Sequence, residues 1–409
     1  METTPPPYPF QRPSALDPPV ELRSLRTEPV VRVTLPSGDV AWMVTRYEDV
    51  RALLADDRIS RNLNRPGAAR ISNKNKLFQD PKMDPDPPEH TRVRRLVMKA
   101  LTPARVERLR PRVQQITDEI VAGMLRRRPP VDLAEALAYP LPIRVVCELL
   151  GVPVEDQARF RGWTKAFLSI GGYTAEEIEQ NMAALDGYMR ELIDAKRAAP
   201  ADDLISALIE VRDQEDGRLG EYELHWWARL LVLVGFETTA VQIGGCVAML
   251  LSRPDQLELV REDPGLLKGA VEELLRWKIV GSSVTMLRYA TEDVTVGGVT
   301  IPAGAGVIPA ADSANQDDAV FDRPEVFDVT RTENPHLTFS HGTHYCAGAS
   351  LARLELETVL STLLREIPDL RLAIPAEQLR RHDGNLLESF VEIPVTWGGP
   401  HDGDAGDVG

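Results

Sequence analysis

The sequence predicts a mainly α-helical fold with a smaller β-rich part, an α+β class, on the strength of three observations. Apolar residues recur at helical spacing through most segments after Pro88. Short runs rich in Val and Thr, typical of strands, occur near the start, at 294–301 and near the end. The stretch 220–252 is apolar around almost its whole circumference, which indicates a long helix through the middle of the molecule.

The first elements are expected to be a hairpin and a short helix. Residues 29–35 and 40–45 flank the turn sequence Pro36-Ser-Gly-Asp39 and predict two antiparallel strands. A helix is expected at 47–54. Residues 57–88 are rich in Asn, Arg, Pro and Gly without periodicity, so they predict a long irregular connection of the kind that forms lids or substrate walls.

Helices dominate the rest of the chain. Gly171 and Gly172 join two of them and predict a hinge. Pro254 is expected to end the long central helix, and 311–338 to be irregular. The predicted helices are 88–101, 103–125, 139–150, 154–169, 174–197, 220–252, 264–278 and Cys346 to about Arg365. Further strands are expected at 294–296, 299–301, 369–373 and 390–397.

Composition indicates one soluble intracellular unit. The 409 residues contain no internal repeat or Gly/Ser-rich linker, so we expect one domain over 1–409, with flexible tails at 1–20 and 399–409. Three widely separated cysteines indicate a reduced, cytoplasmic protein. The start lacks the basic and apolar regions of a signal peptide, and no membrane association is expected. A formal charge of −15 disfavours nucleic acid as a partner.

One cysteine stands in an unusual setting, Phe339-Ser-His-Gly342-Thr-His344-Tyr-Cys346-Ala-Gly348, immediately before a predicted helix. Glycine lets a backbone approach a large flat ligand, and a helix N-terminus favours a thiolate. Cys346 is therefore a candidate metal ligand. Two alternatives remain open: Cys346 is a small core residue, or it binds zinc together with His336, His341 and His344.

The central helix carries a polar notch, Gly235-Phe-Glu237-Thr238-Thr239. A buried carboxylate is costly without partners or a chemical role, and an intrahelical Thr can bond back to a carbonyl and loosen the helix. Glu237 and Thr238 could form a short proton relay to an oxygen atom. The alternative is that Glu237 pairs with a neighbouring arginine.

Other charged residues fall into two groups. Glu273 and Arg276 stand three apart on one helix face, where exposed pairs are common and contribute little. His90 and Arg94 share a face at the start of another helix, and with Arg288 they offer cations for carboxylate groups. Solvated surface charges are the alternative.

Taken together and in this order, these residues resemble the cytochrome P-450 family of haem-thiolate monooxygenases, in particular its soluble bacterial members. The resemblance extends from the first hairpin to the last strands. It implies that Cys346 is the thiolate ligand of the iron of haem b, with Phe339 packed under the macrocycle and Gly348 beside it. Arg94, Arg288, His344 and His90 would hold the haem propionates. Glu273 and Arg276 would form a buried network with Arg331.

The same resemblance implies an activity. Glu237 and Thr238 would deliver protons to O2, and a medium to large organic substrate would be hydroxylated or epoxidised, most naturally a secondary metabolite. Electrons would come from NAD(P)H through a ferredoxin reductase and a ferredoxin, and the enzyme would be a monomer. Arg105, Arg108, Arg110 and Arg112 form a candidate basic patch for the ferredoxin. Oxidative C–C coupling or ring formation on an aromatic or peptide-derived scaffold, and a non-catalytic haem sensor, are the alternatives.

Three positions depart from the family pattern. Phe236 stands where it could crowd the distal pocket. Residues 277–284 lack a proline often found before the propionate arginine, and Ser340 replaces a common glycine. We therefore expect an individual substrate preference.

Overall fold

The structure is a computed structural model and describes residues 4–74, 86–213, 219–277 and 280–398. The flexible tail expected at 399–409 lies outside the described residues, as do residues 75–85 of the predicted 57–88 connection and residue 278 at the end of a predicted helix. Within the described ranges helices predominate and strands form a smaller part, which confirms the predicted α+β class.

The α-helices are numbered in chain order. They are α1 Glu21–Leu25, α2 Tyr47–Leu54, α3 Glu89–Ala100, α4 Pro103–Arg108, α5 Arg110–Leu125, α6 Pro140–Leu150, α7 Gln157–Phe167, α8 Ala175–Ala198, α9 Leu204–Asp213, α10 Glu221–Gly235, α11 Glu237–Leu251, α12 Pro254–Glu262, α13 Leu267–Trp277, α14 Ala311–Ala314 and α15 Ala349–Glu366. A π-helical turn, Ala134–Ala138, precedes α6.

The strands are likewise numbered along the chain. They are β1 Val30–Thr34, β2 Val40–Val44, β3 Ile59–Ser60, β4 Val131–Asp132, β5 Arg288–Ala290, β6 Val294–Val296, β7 Val299–Ile301, β8 Gly306–Pro309, β9 Arg371–Leu372 and β10 Pro394–Thr396. The largest sheet has the order β1-β2-β8-β5-β3, a second has β4-β10-β9, and β6 pairs with β7. In the largest sheet β1 and β2 are antiparallel, with Val30 opposite Val44, whereas β2 and β8 are parallel.

Proline accounts for two differences from the predicted helices. The segment expected to be one helix at 103–125 divides into α4 and α5, because the ring of Pro111 clashes with the carbonyl one turn earlier. Pro254, expected only to end the central helix, is also the first residue of α12, a position where its missing N–H costs nothing.

The central helix is broken. The predicted 220–252 helix separates into α10 and α11 at Phe236, whose backbone departs from helical values at φ −119° and ψ −41°. The Thr238 hydroxyl donates to the Val234 carbonyl at 3.0 Å, which diverts that carbonyl from the helical ladder. A side chain at Gly235 would come within 3.1 Å of Val146, so a small residue allows α10 to pack closely against α6.

Two large apolar cores lie on either side of this break. One contains residues of α5, α11, α13 and α15, and the other contains residues of α6 to α10, including Phe236. The stretch Glu221–Leu251 has the length and apolarity of a membrane-spanning helix, but 72% of its most apolar part is buried inside the protein. Its apolar surface is thus satisfied by core packing.

The N-terminal segment is not a flexible tail over its described residues, contrary to the expectation for 1–20. Tyr8 and Leu16 are buried, and the Tyr8 hydroxyl donates to Asp312 at 3.0 Å. Arg12 pairs with Glu388 at 2.8 Å. Burial of these side chains stabilises the segment against the body.

Candidate active site

The cysteine loop is held by its own backbone. The Cys346 N–H donates to the Phe339 carbonyl at 2.8 Å, and α15 begins at Ala349. The Cys346 side chain is accessible although protein surrounds it closely on its other sides. This desolvation raises the pKa of the thiol, while the Gly348 N–H, then Arg94 and Arg353, act in the opposite direction and favour the thiolate.

Three residues shape the loop differently. Gly342 has φ +70°, and a Cβ there would meet the Leu54 carbonyl at 2.8 Å, so glycine is required by both conformation and space. Ser340 adopts φ +67°, a left-handed conformation that is strained for a residue with a Cβ. A Cβ on Gly348 would have no atom within 4 Å, which leaves open space beside Cys346.

The predicted zinc set is not assembled. His336 Nε2 lies 3.0 Å from Glu272, and the His344 ring stacks on His90 with centroids 4.0 Å apart. Among the described residues, no group of three or more His, Cys, Asp or Glu side chains is arranged to hold a metal ion. The zinc alternative is therefore wrong, and a single thiolate fits a metal that arrives with its other ligands already in place.

Behind Cys346, an ion pair supports the ring of Phe339. The Arg353 guanidinium lies over this ring at 4.5 Å and donates to Glu272 at 2.7 and 2.8 Å. Burial would raise the pKa of Glu272, but hydrogen bonds from Arg353 and His336 outweigh it and lower the pKa to about 2. The pair therefore stays charged and keeps a cation near the thiol.

Cations from three elements converge near the cysteine. Arg94 of α3 donates to the Tyr345 carbonyl, and Arg288 of β5 donates to the Met286 carbonyl at 2.8 Å. His90 and Arg288 are buried. Desolvation, followed by the charges of Arg61, His90, Arg288 and Arg94, lowers the pKa of His344. His344 is therefore neutral, and the positive groups that surround it, partly or fully withdrawn from water, suit an anionic ligand.

Glu237 and Thr238 occupy the first turn of α11, at the helix break. Burial raises the pKa of Glu237, while the charges of Lys165 and Arg161 and the nearby Tyr139 hydroxyl act in the opposite direction. Arg161 pairs instead with Glu135, so the structure does not support the alternative that Glu237 simply neutralises an arginine. Neither residue hydrogen-bonds to the cysteine loop within the part of the chain that the structure describes.

The side chain of Phe236 does not bear out the expectation that it crowds the distal pocket. It is 1% exposed and packs in the core formed by α6 to α10. By contrast, the side chain of Val234, two residues earlier, is 42% exposed.

Comparison with known proteins decides the family. The Cytochrome P-450 family model matches residues 160–367. Mycinamicin IV hydroxylase/epoxidase from Micromonospora griseorubida is 46% identical over 91% of this chain and 93% of that protein. Nocardicin C N-oxygenase from Nocardia uniformis subsp. tsuyamanensis is 44% identical over 95% of this chain and 98% of that protein. The chain belongs to the cytochrome P-450 family.

Solved structures agree with this assignment. The crystal structure of SgvP, described as a putative thioether synthase involved in griseoviridin tailoring, has a TM-score of 0.91 and 41% identity, and the match covers 97% of this chain and 100% of that one. The mixed-function P-450 MycG gives a TM-score of 0.84 and 44% identity over 96% and 100% of the two chains. Both comparisons confirm the P-450 fold. The chain is accordingly an enzyme of the P-450 monooxygenase class, for which the family implies haem-thiolate iron and O2.

The residues present fit a haem group. An accessible sulfur, the open space at Gly348 and the buried cations around His344 match a flat ligand that needs one thiolate and carries two carboxylates. Below them, Glu273 and Arg276 form a fully buried ion pair with two 2.7 Å contacts, joined by Arg331 at 3.1 Å. The predicted network is confirmed and ties the 315–334 segment to α13.

Sequence reasoning missed several residues of the site. Arg61 faces the cation cluster because β3 pairs with β5, which brings residues near 60 beside Arg288. Tyr139 and Arg161 approach Glu237 from 98 and 76 residues earlier in the chain. Only the family resemblance could have suggested that these segments meet, since no local pattern marks them.

Proposed function

We propose that this protein is a haem-thiolate monooxygenase that uses electrons from a ferredoxin to hydroxylate or epoxidise a medium to large organic substrate, as a step in tailoring a secondary metabolite. The observation that carries the proposal is the accessible Cys346 sulfur surrounded by a cluster of cations. The hydroxylase/epoxidase and N-oxygenase activities of the relatives support the tailoring role.

On this proposal, haem b would be held by residues on both sides of the cysteine loop. Cys346 would supply the thiolate ligand, and Phe339 would pack against the macrocycle. Arg94, Arg288, His90 and His344 would bind the propionates, whose charges would relieve the repulsion among them. When bound, the haem iron supplies the activation of O2 that oxidises the substrate.

Glu237 and Thr238 would handle the protons that O2 reduction consumes. Burial raises the pKa of Glu237 and so favours the protonated carboxyl more than in an exposed glutamate. The hydrogen bond from the Thr238 hydroxyl to the Val234 carbonyl fixes the orientation of this side chain. The Thr238 oxygen can still accept a hydrogen bond from a proton donor. A carboxyl and a hydroxyl on the same helical turn would form a short relay, in which Thr238 gives up its hydrogen bond to the Val234 carbonyl when it passes on its proton and takes a replacement from Glu237.

Electrons would come from NAD(P)H through a ferredoxin reductase and a ferredoxin. The structure reduces the expected basic patch, because Arg110 pairs with Glu107 and Glu357, and Arg112 pairs with Glu148. In the described ranges Arg105 and Arg108 form no ion pair, so their charge is available to an acidic partner, although Glu148 and Glu210 line the same hollow. A reduction rate that falls as salt rises would support this electrostatic docking.

The α7–α8 connection and the 384–386 loop would enclose the substrate. Ile170 and Gly171 donate to the Gly384 carbonyl at 3.0 and 3.2 Å, and Ser72 donates to the Ile170 carbonyl at 3.3 Å. The predicted hinge glycines thus lie where the α7–α8 connection meets the 384–386 loop.

We propose that the enzyme acts as a cytoplasmic monomer comprising one domain. A second candidate reaction is oxidative C–C coupling or ring formation; the similarity to SgvP, described as a putative thioether synthase, supports a bond-forming reaction of this kind.

The experiment is spectroscopic and chemical. The purified protein should contain haem, and its reduced carbon monoxide complex should show the red-shifted band typical of thiolate ligation. Cys346→Ser should lose that band. Candidate substrates should then be screened for the spectral shift that accompanies loss of iron-bound water, and the products of a ferredoxin-supported reaction identified by mass spectrometry. Retention of the thiolate band in Cys346→Ser would reject Cys346 as the ligand.

A further inference from the structure

We propose that Arg12 is a positioning residue for the substrate, because it joins the N-terminal segment to two walls of the substrate site and fixes their shape. Residues 8–17 of this segment form what is called here the strap. The inference rests on the proposed function, in which the 384–386 loop and the α7–α8 connection enclose the substrate. It adds to that enclosure a side chain that is 269 residues away in sequence from one of the two walls.

The first wall is the hairpin that carries the 384–386 loop at its tip. A bridge between Arg381 and Phe390 joins the two arms of this hairpin. At the tip, the Leu386 N–H donates to the Leu168 carbonyl of the α7–α8 connection at 3.0 Å. The position of the hairpin therefore determines where this connection lies over the substrate.

The second wall is the 281–285 turn, which leads into strand β5 and its cation Arg288. Gly281 has φ +74°, and a Cβ at this position would lie 2.4 Å from the Leu386 carbonyl oxygen. Glycine is needed here for both its conformation and its size. The turn and the tip of the hairpin are thus in close backbone contact, and a shift of one wall would move the other.

Arg12 connects the strap to both walls. Its Nε lies 2.8 Å from the Glu388 carboxylate of the hairpin, and its Nη2 donates to the Gly281 carbonyl at 3.3 Å. Its Nη1 donates to the Asp17 carbonyl, within the strap, at 3.2 Å. The side chain is only 10% exposed. Because a guanidinium holds its donors in one rigid plane, three partners bound at once are fixed relative to one another.

The strap is also joined to each wall independently of Arg12. The Arg381 guanidinium of the hairpin donates to the Ala15 carbonyl at 2.7 Å. The Tyr8 hydroxyl donates to Asp312 at 3.0 Å, and the same carboxylate accepts the Ser283 hydroxyl of the turn at 2.6 Å. These attachments hold the walls in one arrangement before a ligand arrives, which lowers the entropy lost on binding.

The first test replaces Arg12 by glutamine in the haem-loaded protein. Arg12→Gln leaves Glu388 paired with Arg381, so no carboxylate loses its last partner. Hydrogen–deuterium exchange should show the amides of 281–287 and 384–390 exchanging about tenfold faster than in the wild type, as expected for loss of hydrogen bonds to a charged group.

Two azoles that bind the haem iron separate the shape of the walls from the integrity of the haem site. Imidazole is small enough to reach the iron without ordering the walls, whereas clotrimazole carries three aromatic rings that must pack against them. In spectral titrations, Arg12→Gln should weaken clotrimazole binding about tenfold and leave imidazole binding unchanged, because only the larger azole must order the loosened walls.

Arg26→Gln is the matched control. Arg26 lies in the same N-terminal part of the chain and also donates to one local and one distant carbonyl, those of Leu22 and Ser313, both at 3.2 Å. Within the described ranges neither of these hydrogen bonds reaches a wall. The variant should change neither the exchange of the walls nor the ratio of the two azole affinities.

If Arg12→Gln does not accumulate as folded protein, Tyr8→Phe should give a smaller change in the same direction, since it removes only the hydrogen bond to Asp312. An unchanged ratio of azole affinities would overturn the inference. Equal weakening of both azoles would also overturn it, because general damage to the haem site has that effect. A wild-type protein without thiolate-ligated haem would overturn the proposed function instead.

Discussion

Thr238 illustrates how one hydroxyl serves both structure and proposed chemistry. Its bond to the Val234 carbonyl fixes its orientation at the helix break. We expect Thr238→Ala to raise the fraction of NAD(P)H that ends as hydrogen peroxide at the expense of product, because the second member of the proton relay is lost. The measurement is peroxide and product formed per NAD(P)H consumed.

The neighbouring Thr239 provides a control. Thr239→Ala removes an identical hydroxyl from a buried position one residue along α11. It should leave the ratio of product to NAD(P)H unchanged. Equal coupling in wild type and Thr238→Ala would contradict the proposed role of Thr238.

Glu355 is a buried carboxyl group of α15 with no chemical task assigned to it. It is fully buried, neither oxygen has a hydrogen-bond partner among the described residues, and burial alone raises its pKa to about 8. Between the ordinary pKa of 4.5 and about 8, the folded protein holds a proton that the unfolded chain releases. The free energy of unfolding should therefore fall as pH rises in this window, by up to about 1.4 kcal/mol per pH unit.

Glu355→Gln should remove this contribution. Urea unfolding at several pH values between 5 and 8, at equal haem loading, should give a flatter pH dependence for the variant and a stability advantage that grows with pH. Parallel curves for the two proteins would show that Glu355 does not titrate in this range.

At the scale of elements, the cysteine loop contains a strained residue. Ser340 has φ +67°, and its buried hydroxyl has no hydrogen-bond partner among the described residues. Ser340→Gly should relieve the steric strain, and Ser340→Ala should keep it while also removing the hydroxyl. We expect the free energy of unfolding of the glycine variant to exceed that of the alanine variant by about 1 kcal/mol, and its unfolding temperature to be higher. Alanine as stable as glycine would mean that the loop carries no such strain.

The elements also show what the sequence can and cannot reveal. The hairpin of β1 and β2 and helix α2 were predictable to within a residue, since alternation and turn residues are local signals. Strand β8 was missed because Gly306–Pro309 is short and buried throughout, so no alternation marks it. The division of 103–125 was implicit in Pro111, whose effect on the preceding turn went unused.

In the candidate site, too, residues in local sequence motifs could be predicted, whereas features that depend on tertiary packing could not. Cys346, Glu237 and Thr238 stand in local motifs, and the cations were grouped through the family resemblance. The burial of the Phe236 ring is set at a helix break, and the approach of Tyr139 to Glu237 depends on the packing of α6 and the π-helical turn against α11. Neither has a sequence signature.

For the molecule as a whole, the Glu273 network joins α13 to the long irregular segment beneath the site. Both members of its ion pair are fully buried, and Glu273 also accepts the Asp328 N–H at 3.0 Å. Glu273→Gln leaves Arg276 as an uncompensated buried charge, so the free energy of unfolding should fall by about 3–5 kcal/mol with loss of haem retention. Urea unfolding and haem content measure this.

An exposed pair of the same spacing is the control. Glu258 and Arg261 lie 3.4 Å apart on α12, with Glu258 mostly in solvent. Glu258→Gln should change stability by well under 1 kcal/mol. A similar loss of unfolding free energy in the two variants would mean that the buried Glu273 pair contributes no more to stability than an exposed one.

The break at Phe236 has a consequence for how the protein fluctuates. Because α10 packs in one core and α11 in the other, the two halves of the central helix belong to different cooperative units, and either can open locally while the other stays folded. Nearly all of α11 is buried, whereas α10 is buried on one face only. Amide hydrogens of α10 should thus exchange with solvent before those of α11, and the acid–hydroxyl pair lies at the boundary between the slower and faster regions.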